Sequence, residues 1–173
     1  MTRLNITAPL YDPCFQIRKF PAPGATVTSF PQSKAWSDLV EYRPDYTCLI
    51  LGGNDIRGDT VVRDLVEALA DLVLKIESQT GGWCFLVGIE ARENPRDVSP
   101  AQYRRVRNAV NKVLKRIPRI RGRYVPMNMD PVNSWDGVHL NPHGSELLFN
   151  HLLHVVRECL KHKDCQEGKS EQN

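Results

Sequence analysis

Residues 46–55 read YTCLILGGND, a short apolar run that ends in two glycines, an amide and a carboxylic acid. A near-continuous apolar run of this length is typical of a strand that is covered on both faces, as in parallel sheets. Gly and Asn are favoured in turns, so the plain interpretation of residues 52–55 is a strand-to-helix turn. The functional interpretation is that these polar residues follow a parallel strand, where ligands bind at the edge of the sheet.

The sequence on both sides of this stretch alternates between further apolar runs and amphipathic segments. Asp59 or Thr60 is expected to cap one helix, and Ser99-Pro100 to begin another. The alternation predicts a single α/β domain in three layers, α/β/α, with a parallel sheet. Apolar spacing predicts helices at 32–42, 61–78, 100–117 and from Asn141-Pro142 onward, strands at 46–51, 83–89 and 123–127, and an extended segment at 16–20.

The length of 173 residues fits one domain, predicted at 1–160, followed by a polar C-terminal tail at 161–173. The five cysteines form no CxxC pair, and no signal peptide or membrane-length apolar stretch occurs. We therefore expect an intracellular, cytoplasmic protein with no membrane partner. His151 and His154 have no evident third ligand, so neither a metal nor a cofactor is expected. The sequence does not indicate an oligomeric state.

Basic residues are concentrated in one part of the chain. Residues 98–129 contain nine Lys or Arg and no Asp or Glu, and all nine lie in 104–123. A solvated helix face is the plain explanation, and a weak contact with nucleic acid is the alternative. No aromatic residues are interleaved to stack on bases, which counts against that alternative.

A second polar cluster, WDGVHLN at 135–141, precedes the last predicted helix. Asp136 and His139 can pair so that the carboxylate holds one imidazole nitrogen and the other acts as a general base. Asn54 can donate its side-chain N–H to an oxyanion, and Gly24 can donate its backbone N–H. Trp135 either lines a pocket or fills the core.

Three of these motifs resemble blocks II, III and V of the SGNH (GDSL-like) esterase and lipase family, and they occur in the family's order. They are PGAT around Gly24, GGND at 52–55 and DGVHLN at 136–141, and the resemblance covers roughly 16–157. It implies a flavodoxin-like SGNH-hydrolase architecture and hydrolysis of a small-molecule carboxylic ester.

The resemblance also implies a role for each matching residue. Gly24 and Asn54 would be the oxyanion-hole donors, His139 the catalytic base, and Asp136 the residue that orients the base. Asp55, beside the amide, is expected to hold the shape of a loop.

The family's first block, a Gly-Asp-Ser that supplies the nucleophile, has no match, and residues 1–23 contain no serine. Three interpretations stay open. The chain is a fragment or alternative-start product of a longer esterase, residues 4–8 form a substitute first strand that yields a pseudoenzyme or places Thr7 at the nucleophile position, or the alignment is wrong. The nucleophile is therefore unknown, since Ser29 and Ser37 lie on the wrong side of Gly24.

Two hypotheses of different classes follow. The first is an SGNH-type carboxylic ester hydrolase domain that is inactive or weakly active because the serine is missing. The alternative is a non-catalytic binding module, a pseudo-esterase that uses its pocket or its basic face.

Overall fold

The computed structural model of the chain describes residues 15–127 and 134–170, with side chains as far as residue 161. The three strands form one parallel sheet in the order β1-β2-β3. Short 3₁₀ helices lie at Phe30–Gln32 and Pro118–Ile120. The main elements in chain order are α1 (Lys34–Tyr42), β1 (Tyr46–Ile50), α2 (Val62–Thr80), β2 (Trp83–Val87), α3 (Pro100–Leu114), β3 (Tyr124–Val125) and α4 (Pro142–Ser170).

Each pair of neighbouring strands is joined through a helix, as parallel pairing requires. Helix α2 connects β1 to β2, and α3 connects β2 to β3. In the resulting register Cys48 lies opposite Phe85, and Val87 lies opposite Val125. All three strands therefore end at the same edge of the sheet, and the segments that follow them meet there.

The sheet buries a different set of side chains on each face. Leu49 and Leu86 belong to the large core that also contains the apolar residues of α1, α2 and α3. Phe85 and Val125 pack instead with Val156 of α4. Because alternate residues of a strand point to opposite faces, this division places helices on both sides of the sheet. The predicted three-layer α/β fold is confirmed.

The two predicted helix starts had different outcomes. Ser99 caps α3, since its hydroxyl accepts a hydrogen bond from the N–H of Gln102 at 3.2 Å, as expected. The cap predicted for α2 was wrong, because Val61 occupies the N-cap position and makes no side-chain bond. The Thr60 hydroxyl instead donates to the Asp55 carbonyl and accepts from the Arg57 N–H, both at 2.7 Å, so it closes the turn after β1.

Residues 16–20, where an extended segment was predicted, form no strand, although Phe15 forms a single bridge. The backbone of α4 stays helical to Ser170, across residue 161, where the polar tail was predicted to begin, and the domain boundary there stays a prediction. The substitute strand at 4–8 and Thr7 lie outside the described residues. Within the part of the chain that is described, no helix is long and apolar enough to cross a membrane.

Gly82, just before β2, lies very close to the backbone of the segment that leads into β1. A Cβ atom at this position would collide with the Pro44 carbonyl and lie 2.8 Å from the Asp45 carbonyl. We expect Gly82→Ala to lower the free energy of unfolding by about 1–3 kcal/mol, measured by urea denaturation. A Cβ at Gly58 would meet nothing within 4 Å, so Gly58→Ala should change that free energy by less than about 1 kcal/mol. Equal effects of the two substitutions would contradict the close approach.

Candidate active site

The turn after β1 holds the loop that contains Gly24. The Asn54 side-chain N–H donates to the Ala25 carbonyl at 3.0 Å. Both carboxylate oxygens of Asp55 accept the Val27 N–H, at 3.0 and 3.2 Å. Asp55 therefore holds a loop rather than a reacting group, but the loop that its side chain holds is the one that carries Gly24 and not its own.

Burial is the main cause of the shifted pKa of Asp55. Removal from water raises the pKa of its carboxyl group, while the Val27 N–H and the nearby Arg57 act in the opposite direction. A raised pKa means that folding disfavours the ionised form of Asp55 relative to the unfolded chain. The stability that arises from this shift is therefore present below the unfolded pKa of 3.8 and is lost as the pH rises through the folded value.

Gly24 has a backbone conformation that suits glycine. Its φ is +72°, in the left-handed region, and a Cβ would meet nothing within 4 Å. Within the described ranges its N–H makes no hydrogen bond. An open depression of about 380 Å³ beside it is lined by residues that include Ser33 and Lys34. Gly24 itself lines this depression, whereas Asn54 and His139 do not, so the depression includes the Gly24 end of the predicted site and not the rest of it.

Sequence reasoning missed Arg92, which bonds to Asn54, and Glu90, which bonds to Arg92. Arg92 donates from Nη1 to the Asn54 side-chain oxygen at 3.1 Å. Its Nε and Nη2 atoms both bond to one carboxylate oxygen of Glu90, at 2.7 and 2.5 Å. The Glu90 and Arg92 side chains are only 16% and 14% exposed, so the ion pair is largely buried. Their position shortly after β2 was the available signal, because that segment reaches the ligand-binding edge of the sheet.

This ion pair also explains the second glycine of GGND. A Cβ on Gly53 would collide with the Arg92 guanidinium and lie 2.5 Å from the carboxylate oxygen of Glu90. Gly52 is needed for a different reason, since its φ is +105° and a Cβ would lie 2.9 Å from the Ile89 side chain. The two glycines thus make room for side chains of residues 89–92, the segment that follows β2.

Asp136 and His139 form the side-chain pair that the sequence predicts. One carboxylate oxygen of Asp136 lies 2.7 Å from Nδ1 of His139. The other accepts the backbone N–H groups of Val138 and His139, at 2.9 and 2.8 Å. The Trp135 N–H donates to the His139 carbonyl at 2.8 Å and closes the turn. Because Nδ1 is engaged, Nε2 is the imidazole nitrogen available to a ligand.

The same hydrogen bonds stabilise the charged form of Asp136. The His139 backbone N–H, and next its imidazole, lower the pKa of the Asp136 carboxyl group to about 2. The side chains of His139 and Asp136 are 48% and 52% exposed, so solvent screens the pair and its contribution to stability is small. That contribution is present above the unfolded pKa of 3.8 and is lost as the pH falls through about 2.

The segment 90–94 joins the two halves of the site. Next to Arg92, the Glu93 N–H donates to the Gly137 carbonyl at 2.7 Å. The Asn94 side chain donates to the Asp136 carbonyl at 2.9 Å. Consecutive Cα atoms are only about 3.8 Å apart, so the partners of Arg92 and Glu93 are near neighbours. Gly24, Asn54, Asp136 and His139 are thus connected through this segment at one edge of the sheet.

Other side chains considered from the sequence take no part in this network. Trp135 is 72% exposed, so it does not fill the core. The Ser29 hydroxyl accepts the Thr26 N–H at 2.8 Å, and Ser37 lies on the exposed face of α1. Burial raises the pKa of the Cys48 thiol to about 11, so it is not a ready nucleophile.

Part of the positive charge of the basic stretch 104–123 is paired with acidic side chains from elsewhere in the chain. Arg119 is paired with Glu67 and Asp71, and Arg123 is bonded to Glu77 at 2.7 Å. The acids come from α2, more than forty positions earlier, so the absence of local acids was a poor guide. Across the described side chains, no group of three His, Cys, Asp or Glu could hold a metal ion.

The fold and the site define a three-layer α/β protein with a carboxylate–imidazole pair and a fixed amide at the carboxyl edge of its sheet. The chain belongs to the GDSL-like Lipase/Acylhydrolase family, whose model matches residues 15–147.

Comparison with solved structures found chains of Axe2, an acetylxylan esterase from Geobacillus stearothermophilus. A catalytic mutant of Axe2 is 20% identical, with a TM-score of 0.47, and the match covers 77% of this chain and 68% of that one. A further Axe2 chain is 22% identical with a TM-score of 0.44 and the same coverage. A comparison with curated proteins found no match.

The depressed pKa of Asp136 can be measured directly. We expect its carboxyl ¹³C signal to titrate with a midpoint of about 2. In His139→Ala the imidazole bond is lost but the backbone N–H bonds remain, so the midpoint should rise yet stay below 3.8. His143→Ala, on the exposed start of α4, is the matched control and should leave the midpoint unchanged. A midpoint that is the same in the wild type and in His139→Ala would contradict the pairing.

Proposed function

We propose that this chain is a carboxylic ester hydrolase domain in which His139 is the base and Gly24 and Asn54 stabilise the oxyanion. The observation that supports this most directly is the bond between Asp136 and Nδ1 of His139, since it leaves Nε2 for proton transfer. Membership in the GDSL-like Lipase/Acylhydrolase family supports the same class of reaction. The partner is a small-molecule ester, whose acyl and alcohol groups we leave open.

In the proposed reaction, one half of the site transfers the proton and the other half stabilises the oxyanion. A hydroxyl attacks the ester carbonyl, and His139 Nε2 takes its proton, while Asp136 stabilises the imidazolium that forms. The negative charge moves to the carbonyl oxygen, where the Gly24 N–H and the second N–H of Asn54 can donate. The first N–H of Asn54 is already bonded to Ala25, so this amide has one donor to offer. Collapse of the intermediate returns the proton to the leaving alcohol.

We further propose that the activity is weak, because no Gly-Asp-Ser occurs in the sequence. Water activated by His139 is one available attacking hydroxyl. In a serine protease that has lost a catalytic triad residue, the oxyanion hole and substrate binding retain about 10³–10⁴-fold acceleration over water. A similar remainder is what this site can supply without a serine.

The alternative is a pseudo-esterase that binds a carboxyl or ester group and does not turn it over. The observation that favours it is that no Gly-Asp-Ser occurs in the sequence. The three described cysteines, Cys48, Cys84 and Cys159, are free thiols, which supports an intracellular setting for either function.

Ester hydrolysis by purified protein separates the two functions. With p-nitrophenyl acetate we expect slow turnover that His139→Ala reduces by about 100-fold or to the buffer background, as loss of a general base does. His154→Ala is the control for unspecific imidazole catalysis, because His154 is exposed on α4, and it should leave kcat/KM unchanged. Turnover that persists in His139→Ala would contradict the assignment of the base.

The attacking hydroxyl is identified by intact mass after treatment with a fluorophosphonate. No adduct together with slow, His139-dependent turnover indicates water, whereas an adduct identifies a side-chain nucleophile, with Thr7→Ala as the first variant to test. No adduct and no turnover would favour the pseudo-esterase.

A further inference from the structure

The side-chain amide of Asn54 is held in one orientation by two partners of opposite character. Its oxygen faces a donor, Arg92 Nη1 at 3.1 Å, and its nitrogen faces an acceptor, the Ala25 carbonyl at 3.0 Å. Rotation of the amide by 180° would place donor against donor and acceptor against acceptor. The contacts therefore fix which atom of Asn54 presents an N–H to a ligand.

Arg92 is itself fixed by several neighbours. Two of its nitrogens bond to Glu90, and its guanidinium lies 5.8 Å from the ring centroid of Tyr103. Tyr103 is buried, and its hydroxyl donates to the Glu90 carbonyl at 3.2 Å. Helix α3 thus supports the segment that carries Arg92, and the guanidinium has little freedom to leave Asn54.

The other half of the site depends on the same segment. Asn94 bonds to the Asp136 carbonyl, and the Cβ atoms of Glu93 and an alanine at position 137 would be only 2.8 Å apart. Gly137 has a φ of +77°, and its N–H donates to the Ser134 hydroxyl at 3.1 Å. The turn that presents His139 therefore packs directly on residues 93–94.

We propose that residues 90–94 form a positioning segment, in which Arg92 orients the Asn54 amide and Asn94 holds the Asp136–His139 turn. Arg92 bonds to the Asn54 side chain and Asn94 bonds to the Asp136 backbone carbonyl. Neither touches reacting atoms, so both are positioning residues. A bond from a cation to the amide oxygen also polarises the amide and strengthens its remaining N–H as a donor. The catalytic part of this inference depends on the proposed ester hydrolysis, whereas the positioning part does not.

Side-chain NMR signals of Asn54 and His139 test the positioning without any requirement for activity. In Arg92→Lys we expect hydrogen exchange of the Asn54 side-chain amide to be at least about tenfold faster, with the His139 ring signals unchanged. In Asn94→Ala we expect the reverse, with displaced His139 signals and an unchanged Asn54 amide. Arg96→Gln is the matched control, since Arg96 is exposed in the same loop, and it should alter neither signal.

A second variant guards against loss of folding. Removing Arg92 alone leaves the largely buried Glu90 without its partner, which is strongly destabilising, whereas replacing both charges together costs less. Glu90→Gln combined with Arg92→Gln should therefore fold and still release the Asn54 amide. An Asn54 amide that exchanges at the wild-type rate in both Arg92→Lys and this double variant would overturn the proposal.

The kinetic arm separates this proposal from the proposed function. If the wild type hydrolyses p-nitrophenyl acetate, Arg92→Lys should lower kcat at least about tenfold and change KM by less than about threefold, because the amide acts on the oxyanion rather than on the bound ester. A change confined to KM would overturn the catalytic part. If the wild type hydrolyses nothing, the proposed function fails, and the amide exchange rates still decide whether Arg92 positions Asn54.

Discussion

The two bonds from the turn after β1 to the Gly24 loop are the constraint on which the rest of the site depends. Asn54 holds the Ala25 carbonyl and Asp55 holds the Val27 N–H, so two residues of the loop are fixed by two adjacent side chains. The turn that contains Asn54 and Asp55 is itself fixed to the sheet, because β1 pairs along its whole length with β2. A loop without regular structure thereby acquires the rigidity of the sheet edge, which a site for a small ligand requires.

The second half of the site is built on different physical grounds. The Asp136–His139 turn is closed mainly by its own hydrogen bonds, with one carboxylate oxygen accepting two backbone N–H groups. Such a turn forms locally and needs little from the sheet. Its placement does need a tertiary partner, and the bonds from Glu93 and Asn94 provide one. The site thus combines a locally determined turn with a position that is determined by packing.

This difference explains which features were predictable from the sequence. The Ser99 cap of α3 and the Asp136–His139 pair are local patterns of three or four residues, and both were predicted correctly. Thr60 was predicted as a cap and closes the preceding turn instead, because its hydroxyl finds both a donor and an acceptor within that turn. The bonds from Arg92 to Asn54 and from Arg119 to α2 join residues that are 38 and about 50 positions apart. No local sequence pattern predicts a contact over such a separation.

The buried pair of Glu90 and Arg92 is hard to explain by stability alone. Moving both charges out of water is costly, and an apolar pair of similar size is often as stable or more so. The pair also excludes any side chain at position 53, which a less crowded turn would tolerate. What the charges provide, and an apolar pair could not, is a donor directed at the oxygen of Asn54. The arrangement is therefore better understood as fixing the orientation of one amide than as strengthening the fold.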